Sequence, residues 1–114
     1  MANFKQIYQR FLNLANAVEE LSEFPALDPV EQKMLALLSK HWSSKQKIRV
    51  VESMHMTSDI STSIIFRYLK KLRQKGYIEL VVDEFDNRVK YVSATVLTDS
   101  YFNKMGKLML KASS

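Results

Sequence analysis

Apolar residues recur along this chain at two different periods, and the change between them separates helical from extended segments. Over residues 2–23 they recur at alternating spacings of three and four, which predicts a first helix of about six turns. Phe24-Pro25 ends it, because the residue before a proline is pushed out of the α region. The apolar positions of this helix are Phe4, Ile7, Phe11, Leu14, Val18 and Leu21, with Tyr8, Leu12 and Ala15 beside them.

A second helix is predicted from Pro29 to about Trp42. Asp28 can cap its first turn, Pro29 suits the first helical position, and Glu31 stands where a capping box needs an acceptor. The pattern predicts a buried face made of Val30, Met34, Leu37, Leu38 and Trp42. A polar connector over residues 43–46 follows this helix.

Residues 48–75 read as two helices separated by a polar turn. Residues 48–56 have both strand-forming and helical features, and we expect mainly helix there, preceded by a very short strand. Residues 57–60 then lead into an amphipathic helix over 61–75, which Ser61 can cap and Gly76 can end in a left-handed conformation. Its apolar stripe consists of Ile65, Tyr68, Leu69 and Leu72.

The helix over 61–75 is strongly basic, and no acidic residue lies between Asp59 and Glu79. Its cations are Arg67, Lys70, Lys71, Arg73 and Lys75. Residues 40–75 carry nine basic and two acidic side chains, whereas the whole chain has a net charge of +5. Glu residues spaced one turn from these cations would stabilise an isolated helix. Their absence favours a face that binds a polyanion, most commonly DNA, over a solvated face without a partner.

Beyond Gly76 the period changes to that of β-strands. Residues 77–83 and 88–94 are predicted strands joined by a turn at 84–87, and Thr95 can cap a last helix. The apolar stripe of that helix consists of Leu97, Tyr101, Met105, Leu108 and Ala112. The predicted fold is therefore mainly α with a small β-hairpin (α+β), a winged helix-turn-helix with flanking N- and C-terminal helices.

The length of 114 residues predicts a single domain, 1–114. Within it we expect an N-terminal dimerisation helix at 1–24, a winged helix-turn-helix core at 27–94 and a C-terminal helix at 95–112. The first helix suits a helix–helix seam with a second subunit, although it could instead pack only on its own domain. The predicted homodimer interface consists of Phe4, Ile7, Phe11, Leu14, Val18 and Leu108.

Composition argues against membrane insertion and catalysis. No apolar run approaches the roughly 20 residues that a membrane span requires, and with no cysteine the chain suits a reducing, cytoplasmic location. His41 and His55 each lack a ligand partner at i±4, and two glycines cannot form a phosphate-binding loop. We therefore predict no enzyme activity, metal or cofactor. A small-molecule effector would suit a regulator, but no residue specifies one.

Three stretches resemble the MarR-like winged-helix regulators of bacteria. Residues 27–38 open like the second helix of that family, residues 61–78 look like its recognition helix running into the wing, and Asp86-Asn87-Arg88-Val89-Lys90 is similar to its wing motif. The resemblance covers residues 27–95. The chain departs from the family pattern in having one helix after the wing, where two are common.

The resemblance implies a dimeric, sequence-specific regulator of transcription that binds double-stranded DNA. The helix over 61–75 would enter the major groove, and wing residues 83–90 would reach the backbone or minor groove. The predicted DNA contacts are Ser61, Thr62, Ser63, Phe66, Arg67, Lys70, Lys71, Lys75, Arg88 and Lys90. An alternative is a winged-helix module that binds proteins and not DNA.

The residue types suggest individual roles at this interface. The three hydroxyl residues at the helix N-terminus suit phosphates or base edges, and Arg67 suits a bidentate contact with guanine. The lysines suit phosphates. Phe66 could touch a thymine methyl group, but partial burial is favoured. Asp86 is expected to orient Arg88 through an ion pair.

Overall fold

The computed structural model describes residues 3–20 and 23–114. In chain order its elements are α1 (Phe4–Glu19), α2 (Pro29–Ser43), β1 (Ile48–Arg49), α3 (Val50–Ser53), α4 (Thr62–Gln74), β2 (Ile78–Val82), β3 (Lys90–Ala94) and α5 (Val96–Ala112). This order confirms the predicted winged helix-turn-helix. The chain divides into two compact units, one formed by Leu27–Thr98 and the other by residues up to 26 together with Asp99–Ser114.

Helix α2 begins with the predicted capping box. The Asp28 carboxylate accepts a hydrogen bond from the Glu31 amide at 2.8 Å, and the Glu31 carboxylate accepts one from the Asp28 amide at 3.0 Å. Pro29 occupies the first turn, where a missing N–H costs nothing. The buried apolar residues of α2 are Met34, Leu35 and Leu38. The prediction is therefore correct for Met34 and Leu38, whereas Val30, Leu37 and Trp42 are only half-buried and Leu35 is buried without having been predicted so.

The basic helix α4 is capped and terminated by the residues that the sequence indicates. The Ser61 hydroxyl accepts a hydrogen bond from the Ile64 amide at 3.4 Å. The buried stripe consists of Ile65, Leu69 and Leu72. Gly76 has a φ of 86°, and the following Tyr77 amide donates back to the Leu72 carbonyl at 3.0 Å, so the chain leaves α4 in a Schellman turn.

The wing belongs to a three-stranded antiparallel sheet in the order β1-β3-β2. Val92 at the centre of β3 faces Ile48 of β1 on one side and Leu80 of β2 on the other. Ile48 and Val92 are buried, and the Trp42 indole N–H donates to the Val92 carbonyl at 3.1 Å. The very short strand expected before α3 thus extends the predicted hairpin by one strand.

The start of α5 is tied to the start of β2. The Thr95 hydroxyl donates to the Gly76 carbonyl at 2.6 Å and accepts from the Thr98 amide at 3.3 Å, so Thr95 caps α5 as predicted. The Thr98 hydroxyl, which is fully buried, donates to the Tyr77 carbonyl. These bonds fix the backbone between α4 and the wing.

The second unit pairs α1 with the part of α5 after Thr98. An Arg10 guanidinium N–H donates to the Ser114 carbonyl at 3.2 Å, and the Phe24 and Tyr101 rings meet edge to face with centroids 5.7 Å apart. The two contacts place early α1 beside the end of α5, so the helices run antiparallel. Helix α1 is shorter than the 2–23 predicted, and positions 1, 2, 21 and 22, including Leu21 of the predicted stripe, lie outside the described residues.

Candidate nucleic-acid interface

The N-terminal turn of α4 presents three hydroxyl side chains to solvent. Ser61, Thr62 and Ser63 are all exposed, and the Ser61 and Ser63 oxygens lie 3.3 Å apart. Because Ser61 caps the Ile64 amide, its hydroxyl is already directed along the helix axis. The remaining first-turn amides and the two neighbouring hydroxyls form a donor-rich surface of the kind that binds phosphate oxygens.

Four cations follow on α4 without an acidic partner among residues 3–20 and 23–114. They are Arg67, Lys70, Lys71 and Arg73. Two of them lie against the ring of Tyr68, a residue of the predicted apolar stripe that is half-buried. The Lys71 ammonium and the Arg67 guanidinium are 4.5 Å and 5.9 Å from the centre of this ring. Cation–π attraction therefore positions charges that no carboxylate of the described residues neutralises.

Lys75, the fifth cation of the basic helix, does have an acidic partner. Its ammonium lies 2.6 Å from a carboxylate oxygen of Glu31, whose side chain is only 1% exposed. The phosphate contact predicted for Lys75 competes with this partly buried ion pair. We therefore leave Lys75 out of the interface that is proposed below.

The wing loop is organised by Asp83, a residue that is not among the predicted DNA contacts. Its carboxylate accepts hydrogen bonds from the Phe85 and Asp86 amides, both at 3.0 Å, and from the Tyr91 hydroxyl at 2.8 Å. The Asp83 amide donates to the Val89 carbonyl at 2.8 Å, which closes the loop. The Phe85 amide and then the Tyr91 hydroxyl hold the pKa of Asp83 below its ordinary value.

Arg88 stands at the tip of the wing with its predicted partner. Its guanidinium donates to both carboxylate oxygens of Asp86, at 3.1 Å and 3.2 Å, and this bonding lowers the pKa of Asp86. The Arg88 side chain is nevertheless 90% exposed. The ion pair therefore orients a guanidinium that remains available to solvent on its other edge, and Lys90 is also exposed at the start of β3.

Phe66 borders a cavity of about 290 Å³ between α4 and the sheet. Its side chain is half exposed, so it is available for a contact while also lining the cavity. The other lining residues are Val50, Leu69, Lys70, Arg73, Ile78, Leu80, Lys90 and Val92. The cavity thus combines an apolar interior with three of the exposed cations.

The predicted dimer residues fall into two groups. Phe4 is 79% exposed and Ile7, Phe11 and Leu14 are half-buried, whereas Val18 and Leu108 are buried within the single chain. The side chains in the first group keep apolar surface that a second subunit could cover. The same unit also exposes apolar residues outside the predicted interface, namely Tyr8, Met109 and Leu110.

Two features are absent from the described residues, a metal-ligand cluster and a membrane-spanning helix. Among them no three His, Cys, Asp or Glu side chains gather as a metal site would require. None of the helices in this part of the chain has the length and apolar character needed to cross a membrane.

Several solved protein structures are similar to this chain. No protein-family model matches the chain, and no curated protein does. The solved heme sensor protein PefR from Streptococcus agalactiae, in complex with heme, matches 91% of this chain and 67% of its own, with 19% identity and a TM-score of 0.61. The transcriptional regulator Tm0710 from Thermotoga maritima matches 92% and 66%, with 13% identity and a TM-score of 0.61. Wild-type MarR from Escherichia coli matches 93% and 73%, with 18% identity and a TM-score of 0.56.

These structural similarities establish the class of fold. The chain has a MarR-like winged helix-turn-helix fold, which confirms the resemblance inferred from residues 27–95. At such low identities the fold is what the proteins share. The chain spans about two thirds of the length of the PefR and Tm0710 structures.

Proposed function

We propose that this chain binds double-stranded DNA sequence-specifically and regulates transcription, with α4 in the major groove. One observation carries the proposal: four exposed or half-buried cations on α4 have no acidic partner in the described chain, and they follow directly on a turn of exposed hydroxyls. Bringing these charges next to phosphates releases condensed counterions, which favours binding.

The individual roles follow from side-chain chemistry and position. Ser61, Thr62 and Ser63 donate to phosphates or base edges near the helix N-terminus. Arg67, one turn further, makes a bidentate contact with a guanine, which is worth about 1 to 3 kcal/mol of discrimination. Lys70 and Lys71 bind phosphates. Arg73, which is exposed and was not among the predicted contacts, is a further candidate for the backbone.

The wing supplies a second contact beside the recognition helix. Arg88 is held by Asp86 but keeps 90% of its side chain exposed, and Lys90 lies two residues further on. The loop between residues 83 and 89 is closed by its own hydrogen bonds, so it can be placed on DNA with little loss of conformational entropy. We assign both cations to the backbone or the adjacent minor groove.

We also propose that the chain is a single domain, 1–114, and that it forms a homodimer through α1 and the later part of α5. The exposed apolar residues of that unit support this: Phe4, Tyr8, Met109 and Leu110. Sedimentation velocity of Phe4→Asp should show weaker self-association than the wild type. Phe85→Asp is the matched control, because Phe85 is a comparably exposed aromatic residue in the other unit. A wild type that is monomeric at all concentrations would contradict the homodimer.

A salt titration of DNA binding tests the main proposal. Removing a phosphate contact with Lys71→Ala should weaken binding to every duplex and flatten the salt dependence, by about 0.9 in the logarithmic slope for each subunit bound. Arg67→Ala should instead relax base preference at one position per half-site. Equal losses on all sequences for both variants would remove Arg67 from its role, and affinity that does not change with salt would contradict binding through these cations.

A protein-binding module remains the second candidate, and one observation favours it. Phe85 at the wing tip is 90% exposed, and Asp83, Glu84 and Asp86 surround it in sequence. A large apolar residue among carboxylates suits a protein partner better than a phosphate backbone. The same titration separates the two functions, since a protein-only module would prefer no duplex at any salt concentration.

A further inference from the structure

Glu31 is a buried carboxylate that pairs with a lysine of another element in addition to capping α2. Its side chain is 1% exposed, and one oxygen, Oε1, accepts from both the Asp28 amide at 3.0 Å and the Lys75 ammonium at 2.6 Å. The second oxygen, Oε2, is buried without a hydrogen-bond partner in the described chain. Leaving a charged oxygen in that state costs free energy, so helix capping alone does not explain the arrangement.

The ion pair joins two helix ends of opposite polarity. Glu31 lies in the first turn of α2, where the helix dipole favours a negative charge, and Lys75 is the C-cap of α4, where it favours a positive one. The residue after Lys75 is Gly76, which turns the chain toward β2. A short, directional bond at this point therefore holds the last turn of α4 against the start of α2.

A partly buried ion pair of this kind is a poor means of increasing stability. Removing the Glu31 carboxylate from water is costly, while Lys75 keeps 34% of its side chain exposed, and apolar residues of similar size often stabilise a fold as well as a buried charge or better. What the pair does provide is a fixed geometry, because the ammonium and the carboxylate satisfy each other at one separation. The helix that it fixes is the one whose exposed face carries the proposed DNA contacts.

We propose that Glu31 and Lys75 are positioning residues that set the orientation of α4 in the major groove, and that Lys75 binds no phosphate. This inference rests on the function proposed above. With the pair intact, the Arg67 side chain meets its base at the correct angle. Without it, α4 still approaches DNA through its other cations but loses alignment with the base edges.

The test compares four variants of the full chain: Lys75→Met, Glu31→Gln, the double variant and Lys71→Met. Lys71→Met is the matched control, because it removes a lysine of the same helix that we assign to a phosphate. Glu31→Gln keeps the acceptor for the Asp28 amide and so tests the proposal even where Lys75→Met fails to fold. Each folded variant is titrated with a selected and a scrambled duplex over a range of salt concentrations.

We expect Lys75→Met and Glu31→Gln each to lower the ratio of selected to scrambled affinity about tenfold, comparable to losing one base contact. The double variant should lose no more than either single one, and all three should keep the wild-type salt slope. Lys71→Met should do the opposite, with a slope reduced by about 0.9 per subunit and an unchanged ratio.

Two results would overturn the inference while leaving the proposed function standing. A smaller salt slope for Lys75→Met with an unchanged ratio would make Lys75 a phosphate contact. A lower melting temperature with both ratio and slope unchanged would reduce the pair to a structural role. A wild type that binds selected and scrambled duplexes equally would instead overturn sequence-specific binding itself, and the inference with it.

Discussion

Two helices of the Leu27–Thr98 unit, α2 and α4, end in a Schellman turn but differ in the residue that takes the left-handed conformation. The residue with positive φ is Gly76 after α4, at 86°, and Lys45 after α2, at 59°. The hydrogen bonds match: the Lys45 amide donates to the Trp42 carbonyl at 3.0 Å, as the Gly76 amide donates to the Arg73 carbonyl at 3.1 Å. Both are Schellman turns, in which glycine is the residue without steric cost. Lys45→Gly should therefore stabilise the protein.

The size of the effect follows from the backbone alone. A residue with a Cβ in the left-handed region costs about 1 kcal/mol relative to glycine. For a chain of this length, about 1 kcal/mol corresponds to a shift in melting temperature of about 4 °C. The reverse substitution, Gly76→Ala, should lower stability by about the same amount, because its added Cβ would meet Leu97 Cδ2 at 3.6 Å, an ordinary contact that adds little.

Urea unfolding followed by circular dichroism measures both changes. Lys45→Ala serves as the control, because it removes the ammonium but keeps the Cβ, and it should leave stability near that of the wild type. If Lys45→Gly were neutral or destabilising while Lys45→Ala lost stability, side-chain interactions of Lys45 would outweigh the backbone cost and the reasoning would fail.

Two further predictions concern the wing and α5. Hydrogen bonds depress the pKa of Asp83 below its ordinary value of 3.8 in the folded chain, so its stabilising effect is present above pH 3.8 and is lost as the pH falls through the depressed pKa. The difference in unfolding free energy between wild type and Asp83→Asn, measured by urea unfolding, should therefore shrink as the pH falls below 3.8. A difference that stays constant would contradict this. Gly106→Ala should stabilise by up to about 1 kcal/mol in thermal unfolding, because a Cβ there meets no atom of the described chain within 4 Å. A loss of stability would indicate a partner helix packed on Gly106.

The local structure could be predicted from the sequence because its determinants lie within a few residues of one another. The capping box joins Asp28 and Glu31, three residues apart, and the Ser61 cap and Gly76 terminus mark the two ends of α4. The Asp86–Arg88 ion pair likewise spans two residues. Residues this close in sequence are brought together by the local backbone conformation alone, so the order of elements and the basic face of α4 could be predicted from them.

Contacts between distant residues could not be predicted in this way. Glu31 and Lys75 are 44 positions apart, and the Trp42 bond to Val92 spans 50. Nothing in the local pattern distinguishes Lys75 from its neighbour Lys71, since both are lysines near the end of one basic helix. The spacing of Tyr68 and Lys71, one helical turn apart, is a local signal that could have identified the cation–π contact.

Selection of bound sequences from a random duplex pool tests the central claim most directly. If α4 reads bases in a two-fold symmetric dimer, the recovered sequences should share a palindrome with half-sites about 10 base pairs apart. Repeating the selection with Arg67→Ala should erase the preference at one position in each half. Recovery of unrelated sequences by the wild-type protein, at a salt concentration where it still binds DNA, would contradict recognition by this helix.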